Sequence, residues 1–384
     1  MNENTFGQDL EFLNRHVETI VLSNSEGASA IVVPAYQGRT MTSTSTGMSG
    51  ASYGYLNYDA IAAGNCDPQI NLYGGEDRMW ISPEGGQYSV FFDPNVEMLY
   101  ENWRTPACLD TEPFALTGHD ESSASFERVA QLTNWSQFVF DLKMERTVTL
   151  LDTATAAEHL GCSLDGLSVA AHESKNRLGN IGESPWELET GLIGIWMLCM
   201  NKPAAGATLL VPFKVGCESE LGPIVNADYF GKLDPSRLQV DEPGGLVYFL
   251  GDGKMRSKLG LTYKRVQPYL GSWDRDRGIL SVVQFNLPDA APNGYNNNLW
   301  EIQKEPYSGD VINGYNDGPN ESGGQLGGFF ELETISPALA LKAGESYTHL
   351  HRTIRMEGDR QALSQVSMSV FGVDLDEIER RFQS

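Results

Sequence analysis

The chain of 384 residues is short of positive charge, with 27 Lys and Arg against 51 Asp and Glu and a formal net charge of −24. Nucleic acids and anionic membranes both reward clustered Lys and Arg, so neither is expected as a partner. A neutral or cationic ligand suits this balance better. Cysteine is also sparse: Cys66, Cys108, Cys162, Cys199 and Cys217 are odd in number and contain no C-x-x-C pair. That argues against a disulfide framework or a zinc knuckle. No apolar run approaches the ~18 residues of a membrane-spanning helix. The opening MNENTFGQDLEF has neither a basic n-region nor an apolar h-region. As given, the chain is expected to be cytoplasmic, or periplasmic or secreted if a leader was removed.

What is present suits a folded β-protein. Hydrophobic residues make up 41% and aromatics 10%, enough for a sizeable core. Short β-like runs bounded by Gly, Pro, Asn and Asp recur at 31–33, 88–92, 138–142, 147–151, 209–213, 246–250 and 279–285. Many short strands with few helices between them predict an antiparallel sandwich. A helix is expected from Gln8 to His16. Two more are expected at the end, one capped by Asp359 and one starting at Asp374 with Glu377 and running to about Phe382. Residues 286–328, rich in Asn, Gly and Pro, read as one long loop whose aromatics Tyr295, Trp300, Tyr307 and Tyr315 favour a functional role. The expected division is a helical lead-in over 1–18, a β-domain over 19–357 and covering helices over 358–384.

The densest chemistry lies between Gly328 and Gly358. Alternation puts Glu331 and Glu333 on one strand face, and Tyr347, His349, His351 and Thr353 on one face of the next run. Two nearby carboxyl groups can split their proton affinities, one holding a proton while the other accepts one. The pattern Leu332-Glu333-Thr334, then Pro337, then Leu341 to Tyr347 resembles the C-terminal signature of aldose 1-epimerases. The run Leu22 to Pro34 with Gly38-Arg39 resembles the opening hairpin of the galactose mutarotase-like superfamily. Leu72 to Trp80 with Pro83-Glu84-Gly85-Gly86 resembles its sugar-side loop. In order, these similarities cover most of residues 19–357. Segments Leu299-Trp300-Glu301 and Asp310 to Asp317 are similar to an uncharacterised bacterial family within that superfamily.

The resemblance implies an all-β galactose mutarotase-like antiparallel supersandwich with short N-terminal and C-terminal helices. It further implies a carbohydrate ligand, action at the anomeric carbon, Glu333 as base and Arg78 as a hydroxyl contact. An ion pair of Arg78 with Glu76 or Asp77 is the structural alternative. Aldose epimerases carry an acid histidine on a central strand, but Trp186 to Met200 contains none. His119, His172, His349 and His351 are the possible replacements. Trp80, Trp273 and Trp300 are possible sugar platforms. A glycoside hydrolase or lyase would use Glu331 or Glu333 with a second carboxylate, such as Glu187 or Glu189. A non-catalytic carbohydrate-binding protein is the third reading. No cofactor is expected. The one metal alternative is a divalent ion on His349 and His351, from a near-match of Gly344, His349, His351 and Glu357 to a cupin motif.

Overall fold

The computed structural model describes residues 4–319 and 323–382, and among these the strands form three antiparallel sheets of three, ten and five strands. The ten-stranded sheet runs from the edge strand Leu238–Asp241 to the edge strand Ala115–His119, with Ser346–Gly358 near its middle. The five-stranded sheet has the order Ser257–Thr262, Asp310–Asn316, Phe330–Ile335, Gly194–Asn201, Arg78–Ser82. The faces that the two sheets turn toward each other are largely apolar, with a few buried polar groups set among them. Phe126, Met144, Met197, Leu259 and Leu332 are among the residues that close the main core between them.

The back of the ten-stranded sheet needs a second cover, because Leu210, Tyr248, Val282, Ile354 and Met356 face away from the main core. Helices Arg360–Phe371 and Leu375–Arg380 supply it, burying Leu363, Val366, Phe371, Leu375 and Ile378. Asp359 and Asp374 cap these helices as expected, each accepting from the backbone N–H three residues on. The N-terminal helix spans Phe6–Asn14, two residues earlier than its pattern suggests, because Thr5 and Gln8 close a reciprocal capping box. It packs Phe6 and Leu13 on Ile31, Val33 and Met41 of the three-stranded sheet.

Several local expectations need correction. The run 88–92, buried from Ser89 onward, forms only a single bridge, Phe92 to Trp103, since a short apolar run does not by itself specify a ladder. The separate runs 138–142 and 147–151 are one strand, Val139–Leu151. Helices Tyr58–Ala63 and Thr153–Leu160, capped by Asn57 and Asp152, were not anticipated. The presumed loop 286–328 contains the strand Asp310–Asn316 in the middle of the five-stranded sheet, while its residues 320–322 lie outside the described residues. Asn and Asp are poor strand formers, but here Asp310 accepts from Asn226 and Tyr229, Asn313 donates to the Leu259 carbonyl and Asn316 to the Met255 carbonyl, so protein groups replace bulk water. Among the described residues no helix is long and apolar enough to cross a membrane.

Candidate functional site

The outer face of the five-stranded sheet, turned away from the main core, carries three cross-strand rows of side chains. Arg78, Leu198, Glu333 and Asn313 form one row; Met200, Glu331, Tyr315 and Lys258 form the next; Trp80, Trp196 and Ile335 form a third. Loops carrying Glu84, Tyr100, Trp103, Tyr229, Phe230 and Trp300 rise around these rows and enclose a cavity of about 770 Å³. Its size falls in the upper part of the ~300–1,000 Å³ typical of small-molecule sites.

Aromatic rings dominate its walls. Trp80 meets Trp196 edge-on at 5.6 Å, and Trp103 stacks on Trp300 at 5.9 Å. On the other side of the two glutamates, Tyr315 lies between Phe230 and Phe329. Such rings present flat apolar surfaces to the C–H face of a sugar while the remaining polar groups read hydroxyls.

The polar groups are few and tightly held. Glu333 accepts a hydrogen bond from the Trp196 indole at 3.0 Å and pairs with the Lys258 ammonium at 3.1 Å. Glu331 sits two residues away on the same face, about 6.5 Å along the strand. Burial, reinforced by the neighbouring Glu333, holds the Glu331 carboxyl well above the usual carboxylate range, although Lys258 and Arg78 act the other way. Glu331 therefore holds its proton more tightly than an ordinary glutamate does. Burial also pushes Glu84 up to about 7, against Lys258 and with Glu333. Asp310 is pushed up by burial to about 6 and accepts from the Tyr229 hydroxyl. The cavity thus offers the ion-paired Glu333 beside Glu331 and Glu84, whose carboxyls hold protons more tightly than usual, the combination general acid–base chemistry requires.

Of the residues singled out in the sequence, Glu331, Glu333, Arg78, Trp80 and Trp300 line this cavity. Arg78 is also ion-paired, but to Asp110 at 3.1 Å rather than to Glu76 or Asp77, and its guanidinium lies 4.3 Å from the Trp80 ring centroid. Glu76 and Asp77 serve the protein interior: Asp77 pairs with Arg146 at 2.9 Å, both fully buried, and Glu76 accepts from Ser43.

The histidines are placed elsewhere, and no histidine lines the cavity among the described residues. His349 and His351 belong to the ten-stranded sheet, whereas the glutamate strand belongs to the five-stranded one. Their imidazoles therefore meet the opposite face of that strand, where His349 Nε2 and His351 Nδ1 each lie 2.9 Å from the Thr334 hydroxyl. Burial lowers them to about 3 and about 4, so both are neutral and the three groups form a hydrogen-bonded core cluster. His172 is fully buried in the same interior. His119 lies on an exposed edge strand. Trp273 is buried under the C-terminal helices and donates to Glu379. Glu187 and Glu189 are exposed and outside the cavity. Replacing Thr334 with Val should lower stability by about 1–3 kcal/mol, since it strands buried ring nitrogens. A urea melt with an unchanged midpoint would contradict this account of the histidine pair.

Glu84 was legible only as part of the segment resembling the sugar-side loop, with no role of its own, and Trp103, Trp196, Tyr229, Arg256 and Asp317 were not singled out at all. Glu84 had a usable signal in the following Gly85-Gly86. A Cβ on Gly85 would sit 2.4 Å from the Leu299 carbonyl oxygen, and Gly86 adopts φ of +81°. These glycines let the turn press against residues 298–303, where the Glu84 N–H donates to Asn298 at 2.8 Å.

The fold is shared with solved structures whose sequences are only distantly similar. The chain covers 89% of its length against 96% of the Slr1438 protein of Synechocystis sp. PCC 6803, with a TM-score of 0.52 and 13% identity. A candidate aldose 1-epimerase from Escherichia coli K12 aligns over 89% of this chain and 99% of its own, with a TM-score of 0.52 and 11% identity. At such identities the likeness is one of fold. More particularly, residues 4–382 match a family of unknown function, DUF6786, and the chain belongs to it. No curated protein matches the sequence.

Proposed function

We propose that the protein binds a carbohydrate in this cavity and acts at its anomeric carbon, with Glu333 as proton acceptor and a protonated carboxyl, Glu84 or Glu331, as proton donor. The observation that carries this reading is the facing of Glu331 and Glu333 into an aromatic-walled cavity that Glu84 also enters. Moving a proton from an anomeric hydroxyl while delivering one to the ring oxygen needs an acceptor and a donor within reach of one ring. Glu333 suits the first role because the Lys258 ammonium and the Trp196 N–H hold its carboxyl in place within the cavity. Glu84 and Glu331 suit the second because burial raises the proton affinity of both. The donor that aldose epimerases take from a histidine would here be a carboxyl group.

A second reading draws on the same groups. Three glutamates around a cavity with room beyond one ring would also serve hydrolysis of a glycosidic bond, one as acid and another as base or nucleophile. Incubation with a panel of mono- and oligosaccharides separates these readings. Polarimetry reports interconversion of anomers, whereas a reducing-end assay reports hydrolysis. A sugar that raises the melting temperature but stays chemically unchanged in both assays would leave a binding protein and contradict catalysis.

A further inference from the structure

Three cationic side chains line the cavity, and two are already neutralised: Arg78 by Asp110 and Lys258 by Glu333, each at 3.1 Å. Arg256, two residues before Lys258, is different. Among the described residues it has no ion pair, and its Nε is buried without a hydrogen-bond partner. Its guanidinium packs 4.5 Å from the Phe230 ring centroid, which shields it from water on that side. The Asp317 carboxylate, whose field reaches Arg256, is engaged by other donors: the Tyr315 hydroxyl at 2.7 Å and the Gly327 N–H at 2.8 Å.

A half-buried guanidinium with an unsatisfied donor costs stability unless a ligand supplies the acceptor. Its planar fork matches an oxyanion presenting two oxygens side by side. We propose that Arg256 reads a ring carboxylate, so that the cavity prefers an acidic sugar, a uronic acid or uronate-bearing oligosaccharide, to the matching neutral one. This rests on the carbohydrate reading of the same cavity. The carboxylate is favoured over a phosphate ester because the Asp317 and Glu333 carboxylates line the same space, and a second negative charge would meet them at short range. The chain's net charge of −24 opposes anions mainly at distances where salt screens it, beyond about 8–10 Å, whereas the Arg256 contact is local.

Calorimetric titration of glucuronate, glucose and glucose 6-phosphate, with the galacto series and a di-uronate alongside, tests this on wild type and Arg256→Gln. The expected result is a preference of about tenfold or more for the uronate over its neutral partner, lost in Arg256→Gln while neutral-sugar affinity holds. Circular dichroism and the melting temperature of the variant establish that it is folded. A preference unchanged by the substitution overturns the proposal, as does tighter binding of the 6-phosphate. If neutral sugars bind and are converted equally by both proteins, the carbohydrate reading stands and this inference falls. If uronates bind with Arg256-dependent preference yet remain unconverted, the inference stands and action at the anomeric carbon falls. Binding of none of these sugars overturns both.

Discussion

Glu333→Gln is expected to reduce turnover of the cavity's sugar by about 10²–10⁴-fold, the usual contribution of a positioned general base. The substitution keeps the shape of the side chain and an oxygen for the Trp196 N–H, so the sugar should still bind. It also removes the negative partner of Lys258, whose side chain is only 10% exposed, so the folded protein should lose stability as well. Turnover and melting temperature must therefore be measured together, with the rate taken at a temperature where the variant remains folded. Full activity in Glu333→Gln would exclude the proposed base.

Glu84→Gln should change the response to pH. With its carboxyl pushed up to about 7, Glu84 is a competent donor on the acid side of neutrality and loses that capacity above it. The wild-type rate is expected to fall as pH rises past about 7, and Glu84→Gln should lower the rate and abolish that limb. Stability follows the same group. Its carboxyl binds a proton more tightly in the folded chain than at the free value of 4.5, so the folded state holds the extra proton between about 4.5 and about 7. The associated stabilisation is complete below the free value and lost as pH rises through about 7. It amounts to up to about 3 kcal/mol. Urea melts across this interval should show a steeper decline for wild type than for Glu84→Gln. Parallel declines would mean that Glu84 does not titrate there, and a retained alkaline limb would assign the donor to another group, with Glu331 next in line.

Much of the fold was legible because its cues are local. Asp359 and Asp374 announced their helices, and the runs 246–250 and 279–285 are strands to the residue. The alternation of Glu331 and Glu333 against Phe330 and Leu332 placed both carboxyls on one face. Alternation could not reveal that the next strand, with His349 and His351, joins a different sheet and meets the reverse face at Thr334. Sheet membership is set by long-range pairing, which period-2 patterning does not encode. Likewise, no local cue in the sequence directs Lys258 toward the glutamates. Pairing of Ser257–Thr262 with Asp310–Asn316 turns it inward to Glu333. Glu84 and Arg256 sit on connections, where position depends on how loops from distant parts of the chain converge.

The most direct test is a crystal structure of Glu333→Gln with the tightest-binding sugar. The account predicts a sugar ring against the Trp80, Trp196 and Trp300 walls, its anomeric oxygen within hydrogen-bond distance of residue 333 and Glu84 or Glu331 on the ring-oxygen side. A sugar bound on another surface, or lodged in the cavity with its anomeric end turned away from residue 333, would contradict it.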